Sequence, residues 1–167
     1  GWTYDLRGAL VHVPHAEAFP GVDIANRGLH ALPVAERHGL VWLGGAAPAL
    51  DVAGFLDGLD GDLAALDLDH HVAWKSARVT RRCNLKLVIE AFLDGYHIRV
   101  LHRDSIYRFF LDACSVAEPA GPHIRAATGR RALRDAPPSL AELDGPALRL
   151  LSTPSYLVFP ATIIIEH

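Results

Sequence analysis

The chain has 167 residues, half of them apolar and 21% charged, with a formal net charge of −3; this is ordinary composition for one sizeable core or two small domains. That balance gives no basic footprint for nucleic acid, and no apolar run approaches the roughly 20 residues that span a bilayer. Cys83 and Cys114 are the only cysteines, which excludes a disulfide framework and a four-thiolate metal site and fits a reducing compartment, the cytoplasm.

Charge is unevenly spread. Residues 1–72 hold ten acids and three arginines, a net of −7, whereas residues 73–167 hold nine acids and thirteen Lys/Arg, a net of +4. The change follows LDGLDGDLAALDLDHH, so a domain boundary is expected near residue 70.

In chain order, WTYDLRGALVHVP reads as a β-hairpin around Arg7-Gly8, and its opening GWTYDLRG lacks the basic and apolar regions of a signal peptide. Pro14, Pro20 and Gly21 punctuate a loop. LHALPVAERHGLVWLGG holds two apolar runs joined by a polar turn at Gly39, a second β-rich patch. Residues 51–66 suit a short amphipathic helix weakened by Gly54, Gly58 and Gly61. VAWKSARVTRRC (72–83) alternates as a strand does. Leu85, Val88, Ile89, Phe92 and Leu93 recur at helical spacing and predict a helix. Beyond Cys114, EPAGPH, ATGRR and DAPPS are loop signals, with a short strand expected around HIRAAT. The closing SYLVFPATIIIEH is β-branched and apolar, as in a buried strand. Both ends read as cut from a longer protein.

The segment NLKLVIEAFLDGYHIRVLH (84–102) carries the candidate chemistry. A helical residue advances about 100°, so Glu90, Asp94 and His97, spaced four and three apart, fall near one face. His102 lies five beyond His97, roughly 140° around, so the two imidazoles share a metal only if the helix breaks between them. Ile98 and Val100, β-branched and poor helix formers, permit the break. This is not the unbroken i, i+4 arrangement of HExxH zinc sites. A histidine beside an apolar run is ordinarily a satisfied polar group, and spacing alone leaves that reading open. The other eight histidines, His70-His71 among them, lack a comparable carboxylate context.

Two stretches carry a family resemblance. GWTYDLRGALVHVP resembles the segment after the second cluster motif, Cys-x-x-His, of Rieske-type ring-hydroxylating oxygenases. NLKLVIEAFLDGYHIRVLH resembles the iron-binding segment of the same large subunits, with its Asn-Trp-Lys, Glu-Asn-Phe and Asp-x-x-His-x-x-x-x-His pattern. The order is the family's, and the similarity runs through essentially the whole chain, which would cover well under half of such a subunit. The resemblance implies an α+β fold: residues 1–70 as the end of a β-rich Rieske [2Fe–2S] domain, and residues 71–167 as the start of a helix-grip (START/Bet v 1-like) catalytic domain with an antiparallel sheet.

It further implies that His97 and His102 bind a mononuclear non-haem Fe(II), normally completed by one carboxylate. Asp94 would bridge this site to the neighbouring subunit's Rieske cluster, Glu90 would assist at that junction, and Tyr96 would line or support the pocket. The implied reaction is hydroxylation of an aromatic or similar organic substrate by O₂, with NAD(P)H-derived electrons arriving through a reductase or ferredoxin, in a homo-oligomer, commonly a trimer. Leu85 replaces the usual Trp, a change a packed core could absorb, and Ala91 stands where some members have Asn. The cluster ligands are expected before Gly1 and the third iron ligand beyond His167; Asp104, Asp112, Asp135 and Asp144 do not match it. Residues 1–167 alone are accordingly expected to be inactive. Two further readings stay open: a non-catalytic small-molecule or protein-binding module derived from the fold, and a zinc hydrolase or other metalloprotein.

Overall fold

A computed structural model describes residues 1–45, 49–135, 139, 141 and 143–166. The core of the DAPPS loop signal, 136–138, lies outside the described residues. The chain forms two compact units, Gly1–Val52 and Ala53–His167, described separately below.

The first unit is built from two hairpins. β1 (Thr3–Tyr4) pairs antiparallel with β2 (Leu10–His12). Asp5 Oδ1 shapes the turn by accepting from the backbone N–H of Arg7 (2.9 Å) and of Ala9 (2.8 Å), the local bonding that makes Asp a turn former. β3 (Val34–Arg37) and β4 (Leu40–Leu43) pair from Val34↔Leu43 to Arg37↔Leu40 across a two-residue His38-Gly39 turn. Both hairpins match the sequence expectation.

The second unit opens with helical turns. Residues 51–66 form two short helices rather than one, α1 (Val52–Phe55) and α2 (Asp60–Ala65). The break falls at Gly58, whose φ of +87° places it in the left-handed region; a Cβ there would come 3.0 Å from the backbone carbon of Ala120. Arg125 ties this segment down, donating to Asp62 Oδ2 (2.9 Å), Glu118 Oε1 (2.7 Å) and the Gly58 carbonyl (2.7 Å). His123, 1% exposed, adds a second tie: Nε2 donates to the Phe55 carbonyl (2.6 Å), and Nδ1 accepts from Phe159 N–H (3.1 Å). It is a satisfied core histidine. Residues 53–70 thus pack with the second unit, although the charge shift falls near residue 70.

The strand expected at 72–83 does not form. The run is unpaired and exposed, with Trp74 90% and Val72 88% accessible. Alternation supplies one face of a strand, but a ladder also needs a neighbour to take its N–H and C=O groups. Next come α3 (Leu85–Leu93), as expected, and α4 (Ile98–Leu101).

The sheet is a four-stranded antiparallel meander: β5 (Phe110–Ala120), β6 (His123–Arg130), β7 (Ser152–Val158) and β8 (Thr162–Ile165). Three sequence expectations change here. EPAGPH is not a loop; its first residues end β5 and a two-residue Gly121-Pro122 turn leads into β6. ATGRR continues β6 to Arg130. The closing apolar run is a hairpin rather than one strand, Val158↔Thr162 flanking the turn, with Tyr156, Leu157 and Val158 buried and Ile165 38% exposed. A helix the spacing did not reveal, α5 (Gly145–Leu151), precedes β7; Asp144 caps it by accepting from Ala147 N–H at 2.8 Å. The mixed α+β architecture with an antiparallel sheet agrees with the expected fold class.

Candidate metal centre

The 84–102 segment folds as helix, turn, helix. Asn84 caps α3, its side chain accepting from Lys86 N–H at 2.9 Å, so the Asn of the motif closes an otherwise open helix end. Leu85, at the Trp position, is 52% exposed; it occupies the first helical turn, not the packed core expected. α3 ends at Leu93, and Asp94 follows in extended conformation. Asp94 Oδ1 accepts from Tyr96 N–H at 2.7 Å, an Asx-type turn that competes with continued helix. Glu90, Asp94 and His97 therefore do not share one unbroken helix face.

His97 is the N-cap and His102 the C-cap of α4. The break expected between them is absent: α4 runs on from one to the other, with Leu101 N–H donating to the His97 carbonyl (2.8 Å) and His102 N–H to the Ile98 carbonyl (3.1 Å), and the chain breaks before His97 instead. The rings nevertheless approach each other from the two ends of this single turn, with centroids 5.2 Å apart and planes at 64°. His97 Nδ1 lies 3.3 Å from Asp94 Oδ2, and His102 makes no side-chain hydrogen bond among the described residues. A metal sits about 2.1 Å from an imidazole nitrogen, hence roughly 3.2 Å from the ring centre. Two rings aimed at one ion with the observed separation would subtend about 105° there, a cis arrangement. The ring separation is one that two ligands of a single metal would show. No group of three His, Cys, Asp or Glu suited to a metal occurs among the described residues.

The histidines open on a cavity of about 300 Å³. Ala91, Phe92, Ile98, Leu101, Ile106 and Phe110 supply an apolar side, and Thr128, Thr153, Ser155 and Ile165 supply the sheet side. Asp94 also lines it, with its side chain 49% exposed. Glu90 is exposed on α3, away from the cavity lining. Tyr96 is 80% exposed and borders a neighbouring cavity with Arg99, Tyr107 and Asp112 rather than the histidine cavity.

Sequence reasoning missed two contributors. Gly95 packs against β5 so tightly that a Cβ would overlap Ser115 Oγ and lie 3.0 Å from Ser115 Cβ; Asp-Gly directly after an apolar helix was the available signal. The sheet residues depend on strand register, for which the sequence offered only the alternation of Thr153 and Ser155.

Residues 66–164 match the family described as ring hydroxylating alpha subunit (catalytic domain), and the chain belongs to it. It is 30% identical over 103 residues to a putrescine 2-hydroxylase of Bordetella bronchiseptica, covering 60% of this chain and 21% of that protein. It is 34% identical over 109 residues to a glycine betaine monooxygenase oxygenase subunit of Chromohalobacter salexigens, covering 60% of this chain and 22% of that protein. The matched residues therefore span about a fifth of the length of these relatives. Among solved structures, the quaternary ammonium Rieske monooxygenase CntA, crystallised with an inhibitor, aligns with TM-score 0.71 at 17% identity over 99% of this chain and 42% of that one. Its complex with L-carnitine aligns with TM-score 0.65 at 17% identity.

Proposed function

We propose that the chain is part of the catalytic subunit of a Rieske-type non-haem iron oxygenase in which His97 and His102 hold the mononuclear Fe(II). The observation carrying this reading is the side-by-side placement of the two imidazoles at the cavity, with a separation that suits one ion. When bound, iron supplies the site at which O₂ is reductively activated. The chain's own residues hold and orient. The break after Leu93 sets α4 at the cavity, α4 carries His97 and His102 at its two ends, and Asp94 beside Nδ1 favours the tautomer that leaves Nε2 free, as carboxylates beside metal-bound histidines do. The apolar side excludes water from a bound substrate.

In this reading Asp94 also lies on the electron path from the neighbouring subunit's [2Fe–2S] cluster, and Glu90, one turn earlier, faces that junction. Residues 1–70 are in this reading the end of the Rieske domain, with 53–70 packed on the catalytic unit that 71–167 open. Electrons come from a reductase or ferredoxin, and the subunits form a trimer, in the cytoplasm. Two free thiols, Cys83 and Cys114, support that location; among the described residues no helix is long and apolar enough to cross a membrane. For the substrate, the names of the relatives favour small amines and betaines over aromatic hydrocarbons.

The second reading is a non-catalytic binding module derived from the fold. Substrate-stimulated O₂ uptake by the intact subunit with its reductase, assayed with glycine betaine, putrescine and benzoate, separates the two. The oxygenase reading expects uptake with at least one compound, abolished by His97→Ala or His102→Ala while the cluster still reduces. Uptake that survives both substitutions contradicts it.

A further inference from the structure

The sheet side of the cavity carries a polar row that iron binding does not use. Thr128 on β6 and Thr153 on β7 are direct cross-strand partners, and Ser155 lies two residues along β7. All three leave the same face of the sheet and line the cavity. Thr153 is 5% exposed, and its Oγ1 accepts from Arg130 Nε at 3.0 Å. With an oxygen lone pair engaged by a cation, the Thr153 proton is left to donate, polarised by the guanidinium. Ser155 makes no side-chain hydrogen bond among the described residues, and Thr128 shares one with Ser115 Oγ at 3.1 Å. Arg130 meets no carboxylate among the described residues. Asp94 is the cavity's carboxylate, and it belongs to the helical side, held by Tyr96 N–H and set beside His97.

The cavity is thus polarised, acidic toward the histidines and donor-rich, with a cation behind it, toward the sheet. We infer that Thr153 and Ser155, backed by Arg130, form a subsite for the carboxylate of an organic substrate. The body of that substrate packs against Phe92, Ile98, Leu101 and Phe110, and its far end is presented toward His97 and His102. Of the two substrate types named by the relatives, the subsite therefore selects the betaine, because an amine-only compound would bring a cation toward Arg130. The orientation toward the histidines rests on the oxygenase reading; carboxylate binding does not.

Equilibrium binding to the intact iron-loaded subunit tests this, with two matched pairs as probes: glycine betaine against choline, and benzoate against benzyl alcohol. The carboxylate of at least one pair should bind ten times more tightly than its alcohol, or better, as expected for hydrogen bonds to a charged group. Thr153→Val and Ser155→Ala should each remove about tenfold from carboxylate binding and leave the alcohol within twofold. Thermal unfolding of both variants checks the fold, and Ser155→Ala, which breaks no internal hydrogen bond, keeps the test valid if Thr153→Val is unstable. Equal affinities within both pairs, tighter binding of putrescine than of either carboxylate, absence of binding by all four probes, or variants that weaken acid and alcohol alike would each overturn the subsite. Iron content, measured on the same samples, reports separately on the metal reading.

Discussion

Gly95→Ala probes the link between packing and site. Gly95 stands between Asp94 and His97, where the chain turns out of α3, and its α-carbon faces β5. An alanine Cβ would overlap Ser115 Oγ and lie 3.0 Å from Ser115 Cβ, with Thr128 Oγ1 4.0 Å away. Normal contact between carbons is about 3.5–4.0 Å, so either the turn lifts or Ser115 swings away. Swinging costs the 3.1 Å Ser115–Thr128 hydrogen bond, about 1 kcal/mol, and residual overpacking costs about 1–3 kcal/mol more. The sum, about 2–4 kcal/mol, corresponds to about 4–16 °C in Tm for a domain of 150–250 residues and to less in the longer intact subunit. Lifting the turn displaces α4 and both its histidines from Asp94 and from the sheet side of the cavity, so iron affinity should fall with stability. Calorimetry and metal titration of the intact subunit provide the assay. Wild-type Tm together with wild-type iron affinity would refute the argument that this close approach positions His97.

His123→Leu removes the hydrogen bonds that the ring makes to the Phe55 carbonyl and from Phe159 N–H; at about 1–3 kcal/mol each, urea denaturation should show a loss of roughly 2–6 kcal/mol, and a loss below about 1 kcal/mol would contradict the role assigned to this ring. Asn84→Ala removes the α3 cap and should cost about 1 kcal/mol, with Asn84→Asp nearly neutral in the same assay. The hydrogen bond and charge of Asp67, 2.7 Å from His70, raise the His70 pKa above its ordinary value, with a smaller contribution from Asp69 against slight desolvation. A raised folded-state pKa means that the pair's contribution is fully present below the unfolded pKa and is lost as pH rises through the folded one. Imidazole NMR should show the high titration in the wild type and its return toward the ordinary value in Asp67→Asn; titration at or below that value in the wild type would contradict the pairing.

Local signals were the legible ones. The apolar spacing of 85–93 marked α3, whereas the break expected between His97 and His102 falls before His97 and leaves the two at the ends of one helical turn. Arg7-Gly8 and Gly39 marked their hairpins. What failed was whatever depends on distant partners. The 72–83 run has a strand's alternation and no neighbour. EPAGPH has a loop's composition, yet Pro119 sits at the end of an edge strand, where its missing N–H leaves no gap in a ladder. α5 was hidden because its start, Asp144-Gly145-Pro146, reads equally as a turn. The hydroxyls of Thr128, Thr153 and Ser155 meet the histidine segment only through the register of β6 and β7, which no window of sequence contains.

The central claim is that two histidines five residues apart share one iron. Metal analysis of the intact subunit tests it most directly, comparing wild type with His97→Ala and His102→Ala and using the cluster absorbance as an internal reference. The account predicts that each variant loses the mononuclear iron and keeps the cluster. Retention of that iron in either variant would contradict it.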